Sequence, residues 1–480
     1  MDACGPRTAV IRVVTADRVI SPSGVAANAV RIDNGRIVAI GSRKDLRGTG
    51  AVEDTFVGGT LVAGLRDAHI HAVPYSALLR GCSLKSASTM EDLRDRLVEH
   101  ARSLPQGSPV VATRFDDESL AERRLPTRSD LDAAISDRPV VIYRYCGHVA
   151  VANSKALTES GIADATRDPE GGVIDKDTNG QPTGVLRETA VGLIAGTLAR
   201  GGRLEPNHLL DGLRRLAGLG LTSIGAMIGH GESPSDKLAA EAELWREVAR
   251  DLPIKVHGFV IADTPDQLDH AARTITGVTG RLRWLGVKRF ADGSLGGHTA
   301  AMWNAFSDLD TTGTYRLTVA DTVVARHSLM LGGMVAVHAI GDRAVSGVLD
   351  LFEDLIADGA NPADLRMEHV SVIDPGQIER FAKLGVTAAI QPAFLASESE
   401  WIARRVGADR LGWVYPFQSL LHAGIPMAGS SDSPVEPPHP LWGMAAAMDR
   451  HGITTGERLS GTEALDLFTS GGASALREPE

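Results

Sequence analysis

Hydrophobic and polar residues alternate in two different rhythms along the chain. Near the start, short apolar runs with a period of two predict strands at 8–14 and within 28–40. The Asn34-Gly35 pair inside the second range is typical of a tight hairpin turn. A further strand is expected at 60–69. We therefore expect a small β-sandwich unit over residues 1–60.

From about residue 205 the pattern changes to apolar strands that alternate with amphipathic helices. Pairs such as Thr264-Pro265 and Asp374-Pro375 provide a capping side chain followed by proline, which is typical of a helix start. Besides the strand at 60–69, strands are predicted at 222–227, 254–261, 285–290, 334–338, 366–370, 386–390 and 425–429. Eight strands in this α/β alternation favour a (β/α)8 barrel of the TIM type over a doubly wound sheet.

Residues 73–200 interrupt this alternation. A helix is expected at about 89–103, and the Gly-rich stretch 168–172 is typical of a turn. Because the interruption follows the first barrel strand, we interpret it as an insertion. The barrel domain is then expected to span 61–480.

Composition and charge exclude several classes of function. The 480 residues suffice for a large barrel-sized domain, and 43% hydrophobic with 23% charged residues is ordinary for a globular protein. The net charge of −11 argues against general binding of nucleic acid or membranes. Three cysteines (Cys4, Cys82 and Cys146) are too few for a disulfide framework. We expect a cytoplasmic protein that binds a small molecule, and homo-oligomer formation stays open.

Candidate chemistry begins with the segment Asp67-Ala68-His69-Ile70-His71 on the first barrel strand. Residues two apart on a strand point to the same side, so His69 and His71 project together, with Asp67 one step deeper. A His-X-His pair alone is more typical of structural histidines than of a metal site. Support for a metal site has to come from other strands.

Three further metal-binding side chains fall at the ends of later barrel strands, namely His338, His369 and Asp432. Active sites of such barrels are built at the carboxyl ends of the strands. We therefore expect these side chains to converge with His69 and His71. A mixed set of imidazole and carboxylate ligands suits borderline divalent metals, Zn²⁺ first.

Lys288 lies on the strand 285–290, where alternation points either Lys288 or Arg289 into the barrel. An ammonium beside two metal cations would be repelled and costly to desolvate. A neutral amine can instead react with carbon dioxide to give a carbamate, an anion that can bridge two metals. On spacing alone, a surface lysine at a strand end is an equal alternative.

Taken together, these residues resemble the amidohydrolase superfamily in its binuclear form. The segments 147–157, 182–188 and 287–294 are similar to the amidohydrolase-3 group, which includes the YtcJ-like proteins and the N-substituted formamide deformylases. The resemblance covers nearly the whole chain and implies a distorted barrel with an accessory β-sandwich. It also implies two metal ions bridged by carbamylated Lys288, with two sets of ligands: His69, His71 and Asp432 for one ion, His338 and His369 for the other.

Two features depart from that group. Further strands usually follow the final helix there and complete the sandwich, whereas this sequence stops at Glu480, directly after the helix-like segment 461–476. We therefore expect an incomplete sandwich, either in a shortened chain or in a natural variant. His298 stands where the group more often has arginine. We keep His298 as a candidate for substrate binding, although this departure weakens the transfer of a substrate contact from the family to this position.

Other candidates for substrate binding lie in loops and in the insertion. His148 and Glu188 belong to the insertion, which could fold over the barrel mouth; a structural histidine and a solvated glutamate are equally good interpretations. Asp292 is a candidate for substrate contact. Because Asp292 and Asp342 each follow a ligand-bearing strand, either could also orient a ligand, with a capping aspartate as the alternative.

We expect hydrolysis of a small-molecule amide or related C–N bond, and the resemblance to the family implies compounds of the N-acyl or N-formyl type. A hydroxide activated by one or two metal ions would attack the carbonyl carbon, and Asp432 would pass the proton to the leaving nitrogen. A lactone or another ester could be hydrolysed at the same site, and a catalytically lapsed ligand-binding barrel is the third reading. We expect a hydrolase for non-peptide C–N bonds that uses Zn²⁺ or another divalent metal.

Overall fold

The computed structural model describes residues 11–20, 26–48, 51–79, 81–145, 149–169, 172–194, 204–229 and 235–478. The chain forms two compact units, Met1–Gly64 and Leu65–Glu480. No helix within the described ranges is long and apolar enough to cross a membrane.

The N-terminal unit is a four-stranded sheet in the order β3-β2-β1-β4. Its strands are β1 (Arg12–Val19), β2 (Ala27–Asp33), β3 (Arg36–Gly41) and β4 (Val52–Leu61), and a short helix spans Arg43–Leu46. The predicted hairpin turns at Asn34 and Gly35, whose φ angles are 48° and 76°. The strand predicted at 8–14 is found later, as β1, and residues 8–10 lie outside the described part. β4 was missed because most of its residues are exposed and no apolar alternation marks it.

The insertion follows β5 (Leu65–Ile70) and forms a six-stranded mixed sheet in the order β10-β11-β9-β8-β7-β6. The strands are β6 (Cys82–Ser83), β7 (Val110–Phe115), β8 (Val140–Arg144), β9 (Val149–Ala152), β10 (Gly172–Lys176) and β11 (Pro182–Glu188). The helices are Ala72–Leu78, Met90–Arg102, Arg128–Ala134 and Ser154–Glu159, and a 3-10 turn spans Thr189–Ile194. The helix Met90–Arg102 confirms the prediction at 89–103. Cys82 is a buried free thiol, whereas Cys4 and Cys146 lie outside the described residues.

The barrel sheet has eight parallel strands in the order β18-β17-β16-β15-β14-β13-β12-β5. After β5 they are β12 (Leu221–Ile228), β13 (Lys255–Ile261), β14 (Leu282–Phe290), β15 (Met334–Ala339), β16 (Leu365–His369), β17 (Thr387–Ile390) and β18 (Met427–Gly429). The barrel is nearly closed because the backbone N–H of Asp432 donates to the carbonyl of His69 at 2.9 Å, and that of His71 to Ser433 at 2.8 Å. The predicted TIM-type barrel is confirmed.

Helices follow the strands around the barrel. They are Pro206–Gly218, Ser235–Val248, Pro265–Ile275, Val319–Met330, Asp342–Ala357, Pro375–Leu384, Phe394–Glu398, Ile402–Val406, Phe417–His422, Pro440–Asp449, Gly461–Phe468 and Ser470–Ala475. Short 3-10 turns lie at Pro362–Asp364, Leu411–Trp413, Arg450–Gly452 and Thr455–Glu457. The predicted caps are present: Thr264 and Asp374 both accept backbone N–H groups of the first helical turn.

Glu478 fastens the end of the described chain to the amino ends of three barrel strands. Its carboxylate accepts hydrogen bonds from Nε of Arg66 at 2.7 Å and Oγ of Ser223 at 2.8 Å, and it lies 2.9 Å from Nε2 of His257. Burial raises the pKa of Glu478, but the hydrogen bonds from His257 and Arg66 outweigh burial and leave the pKa below its ordinary value. These contacts stabilise the fold at the amino ends of the barrel strands, opposite the end where the active sites of such barrels lie.

Candidate metal centre

The carboxyl end of the barrel brings five of the predicted ligands together. Oδ1 of Asp432 lies 3.2 Å from Nε2 of His69 and 3.2 Å from Nε2 of His71. The ligand atoms of His69, His369 and Asp432 all lie within 4.8 Å of one another. The ring of His338 lies beside that of His369, with 4.4 Å between centroids. The convergence expected from the strand ends is thus observed.

Two atoms in this group are buried without the hydrogen bonds that buried polar atoms normally have. Nε2 of His69 and Oδ1 of Asp432 make none with the residues that the structure describes. Instead, the two atoms face one another at 3.2 Å. A nitrogen and a carboxylate oxygen held this way are suited to share a cation, and the imidazole and carboxylate donors match those of divalent zinc sites. The residues therefore fit a metal ion.

The ligands are also held in the protonation states that metals bind. Burial lowers the pKa of His71, and burial together with the charge of His338 lowers the pKa of His369 well below its ordinary value. Burial raises the pKa of Asp432, but its close approach to His69 and His71 outweighs burial and keeps that pKa well below its usual range. Neutral imidazoles and an ionised carboxylate are the forms that coordinate metals.

Hydrogen bonds at Nδ1 orient the rings of two ligands, His69 and His369. Nδ1 of His69 lies 2.6 Å from Oε2 of Glu368, and Nδ1 of His369 lies 2.7 Å from Oε1 of Gln391. A carboxylate oxygen and an amide oxygen can only accept a hydrogen bond, so each Nδ1 carries the proton and donates it. This tautomer leaves Nε2 of each ring with the lone pair that a metal needs.

His338 is oriented by the loop that follows β14. Its Nε2 lies 2.8 Å from the carbonyl oxygen of Gly293 and 3.3 Å from Oδ1 of Asp292, so Nδ1 is the nitrogen with the lone pair. Asp292 is fully buried and accepts hydrogen bonds from three backbone N–H groups of the surrounding loops. Asp292 therefore lies where it can orient a ligand, and its contact with substrate stays a prediction.

A buried ion pair on β16, formed by Arg366 and Glu368, supports His69 from behind and was missed in the sequence. Nε of Arg366 donates to Oε1 of Glu368 at 2.6 Å, while its guanidinium stacks over the ring of Phe259 at 4.3 Å and also donates to the carbonyl of Ala68. Burial raises the pKa of Glu368, but the charge of Arg366 and the hydrogen bond from His69 outweigh burial and lower that pKa. Two charged residues at alternate positions of an apolar strand were the available signal.

Lys288, rather than Arg289, points into the barrel. Lys288 is fully buried, whereas Arg289 donates to Oδ1 of Asp321 at 2.6 Å on the other side of β14. The alternative of a surface lysine is therefore wrong. Burial lowers the pKa of Lys288 to about 8, although the charges of Glu368 and Asp432 act in the opposite direction. Part of the amine is thus neutral near pH 7, as carbamate formation requires, and the carbamate itself stays a prediction.

The backbone is strained where it presents the ligands. His369, Val370 and Asp432 have φ angles of 74°, 51° and 53°, a region that costs non-glycine residues ~1–3 kcal/mol each. Hydrogen bonds from Val370 N to Ala339 O at 3.0 Å and from Asp432 N to His69 O at 2.9 Å hold these turns. Strain retained at ligand positions is typical of a functional site.

A cavity opens beside the ligands. One side is formed by metal-site residues already described, namely His338, His369 and Asp432. The other side carries apolar residues (Leu295, Ile340, Phe394 and Val435). Three larger polar side chains also reach it: Tyr145, Glu398 and Tyr415. The cavity therefore offers both apolar and polar contacts next to the metal ligands.

The other predicted substrate-binding residues are not in this wall as far as the structure describes it. Nε2 of His298 lies 3.0 Å from Oδ1 of Asp308, and its ring packs edge-on against Phe306. His148 lies outside the described residues, and Glu188 ends β11 with a side chain that is likewise outside them. The roles of these three residues stay predictions.

Comparison with known proteins gives the same picture over nearly the full length. Residues 57–480 match the sequence profile of the amidohydrolase family. The YtcJ protein of Bacillus subtilis, which carries an amidohydrolase name, is 29% identical over 94% of this chain and 87% of its own length. The N-substituted formamide deformylase of Arthrobacter pascens is 27% identical over 94% of this chain and 86% of its own. A metal-dependent hydrolase from Pyrococcus furiosus is 29% identical, with a TM-score of 0.73 over 97% of this chain and 95% of that one.

The fold and the convergent ligands define a barrel hydrolase with a metal site. The chain belongs to the amidohydrolase family, as the sequence resemblance indicated, and is a metal-dependent hydrolase of that superfamily.

Proposed function

We propose that this protein hydrolyses a C–N bond of a small amide, of the N-acyl or N-formyl type, at a centre of two divalent metal ions. The observation that carries the proposal is the convergence of His69, His71, His369 and Asp432 at one end of the barrel. Two buried atoms of this group, Nε2 of His69 and Oδ1 of Asp432, have no hydrogen bond with the described residues. The similarity to an N-substituted formamide deformylase favours an amide over an ester.

The donors divide into two sets, as the strand positions predict. His69, His71 and Asp432 would hold one ion, His338 and His369 the other, and carbamylated Lys288 would bridge them. Zinc suits these nitrogen and oxygen donors best. When bound, such ions lower the pKa of a water molecule toward neutrality and polarise a carbonyl oxygen.

Asp432 is the residue placed to move a proton. Its carboxylate lines the cavity, is held ionised by His69 and His71, and has an oxygen without a hydrogen bond to described residues. Asp432 would accept the proton of the attacking water and deliver it to the leaving nitrogen, which departs as an amine. The cavity walls hold the carbonyl near His369 and limit access of bulk water.

The test is hydrolysis by zinc-loaded protein of a panel of N-formyl amides, N-acetyl amides, lactones and simple esters of matched size. We expect amides to be hydrolysed with the highest kcat/KM. Hydrolysis of lactones or esters alone would contradict the C–N assignment and leave the metal site intact. Binding without turnover of any member would favour a ligand-binding barrel instead.

The bridge is tested separately through Lys288. Lys288→Ala should lose activity and regain part of it with small carboxylic acids such as formate or acetate, which supply an anion in place of the carbamate. Lys288→Arg is a control that keeps a cation and should gain nothing from these acids. Full activity of Lys288→Ala without any acid would contradict the bridge.

A further inference from the structure

We propose that Glu398 binds a hydrogen-bond donor on the substrate, at the part of the cavity beyond Phe394. The substrate is then an amide that carries a second polar group, best met by a protonated amine, at the end remote from the scissile carbonyl. This inference rests on the proposed function, because it assigns the carbonyl to the metal side of the same cavity.

Glu398 is placed by a short helix that borders the metal centre. Phe394 begins the helix Phe394–Glu398, and its ring stacks on the imidazole of His369 with 6.1 Å between centroids and 10° between planes. Residues four apart lie on the same helix face, ~6 Å apart along the axis. Both side chains line the cavity. Glu398 therefore lies one helical turn along from Phe394, on the helix face that borders the cavity.

The carboxyl of Glu398 accepts one hydrogen bond from the described residues and belongs to the cavity wall. Glu398 is only 7% exposed, and its hydrogen bond with described residues comes from the hydroxyl of Tyr415, 2.6 Å from Oε2. An ionised carboxylate can accept about four hydrogen bonds. Burial with so few donors raises the pKa of Glu398 to about 7, with the hydrogen bond from Tyr415 acting against that rise. A hydrogen-bond donor on a bound substrate would give this carboxyl a further hydrogen bond, in addition to the one from Tyr415.

The nearby cations are already committed to other carboxylates. Nε of Arg144 lies 2.6 Å from Oδ1 of Asp117, and Nε of Arg405 lies 2.9 Å from Oδ2 of Asp308. Both guanidiniums influence Glu398 at longer range. Because their charge is largely balanced by these pairs, Glu398 can accept a cationic group in the cavity without displacing an existing ion pair.

Much of the remaining wall is apolar, with Tyr145 and Ser294 as its other polar side chains, so the one carboxyl beyond the metal ligands contributes strongly to specificity. Leu295, Ile340, Phe394 and Val435 offer only apolar contacts, which bind an apolar N-substituent of the amide without orienting it. A site that hydrogen-bonds a polar group rejects analogues without that group far more strongly than apolar contacts reject a changed shape. Glu398, held by Tyr415, then recognises the polar group at the end of the substrate remote from the scissile carbonyl.

The test compares two probes of equal size, N-[4-(aminomethyl)benzyl]formamide and N-(4-ethylbenzyl)formamide, which differ in an ammonium group against a methyl group. Dissociation constants are measured by calorimetry on zinc-loaded protein, and kcat and KM by release of formate. We expect the amino probe to bind roughly tenfold to a hundredfold more tightly, as one charged hydrogen bond provides. In Glu398→Gln this preference should fall, mainly through a rise in KM for the amino probe that exceeds any change in KM for the ethyl probe.

Glu241→Gln is the matched control. Burial also raises the pKa of Glu241 to about 7, and the residue accepts a hydrogen bond from Trp245 on the outer helix Ser235–Val248, away from the cavity wall. It should keep the preference for the amino probe. Tyr415→Phe serves as a second variant, in which the preference should be reduced but not abolished.

Equal binding of the two probes to the wild-type protein, or an unchanged preference in Glu398→Gln, would overturn the inference whether or not either probe is hydrolysed. The proposed function would fail differently, by lack of hydrolysis of every amide in the wider panel. The two failures are thus distinguishable.

Discussion

Glu368→Gln should weaken metal binding although it removes no metal ligand. Oε2 of Glu368 lies 2.6 Å from Nδ1 of His69, and this contact fixes the ring with Nε2 toward Asp432. Loss of such an orienting carboxylate typically costs about tenfold to a hundredfold in metal affinity. The same substitution leaves the guanidinium of Arg366 buried without its counter-ion. Breaking a buried pair in this way costs about 3–5 kcal/mol of stability.

A double variant separates these two effects. Arg366→Met together with Glu368→Gln removes both charges, so that no uncompensated charge is left buried. We expect the free energy of unfolding to recover in large part. The affinity for zinc should stay low, because Glu368 is the member of the pair that forms the hydrogen bond with His69. Zinc affinity is measured by competition with a chromogenic chelator, and stability by urea unfolding of metal-free protein.

Glu353→Gln is the control, since Glu353 pairs with Arg380 on the surface and its loss should change stability by less than about 1 kcal/mol. Unchanged zinc affinity in folded Glu368→Gln would refute the orienting role. Recovery of zinc affinity in the double variant would show that Glu368 acts only through the stability of the fold.

Three further predictions follow from the same contacts. Lys288→Met should raise the free energy of unfolding of metal-free protein at pH 7 by up to ~3 kcal/mol, because the pKa of about 8 in the fold lies below the ordinary 10.5. In urea titrations this gain should shrink as pH rises from 8 to 10.5; a gain that is independent of pH would contradict the cause. Asp432→Asn should lower kcat by about a hundredfold or more while part of the bound zinc remains, and full turnover would refute the proton transfer. Glu478→Gln should destabilise the protein at pH 7, since a carboxyl with a lowered pKa contributes stability above 4.5 that is lost as pH falls below it. Thermal unfolding at pH 7 and pH 4 should show a smaller pH dependence in this variant, and equal dependence would exclude Glu478 as its source.

The barrel could be predicted from the sequence because its signal is local and repeated. Strands such as β14 and β15 are apolar runs, and the helices between strands begin with caps that depend on neighbouring residues only. The sheet of the insertion was not predicted, because β6 to β11 pair partly in parallel and partly in antiparallel directions and do not alternate regularly with helices. Pairing of this kind leaves no regular spacing in the sequence.

The candidate ligands were predictable for a similar reason, since the ends of parallel strands meet at one edge whatever the details of packing. The facing of Lys288 against Arg289 was left open, because alternation does not say which side of β14 is inward. Glu368 was not predicted because it directly precedes His369, and the histidine was the residue chosen as the metal ligand of this strand. Glu398 lies on a helix outside the strand pattern, and only the folded chain brings it to the cavity.

The central claim is that catalysis requires the metal ions held at this barrel end. Its most direct test is a titration of chelator-treated protein with zinc, in which bound metal and amide hydrolysis are measured on the same samples. We expect no hydrolysis without zinc and a rise that saturates at about two equivalents, as a binuclear site requires. The variant His69→Ala should lose both zinc binding and activity. Full amide hydrolysis in metal-free protein, or activity that stays unchanged as zinc binds, would contradict the account.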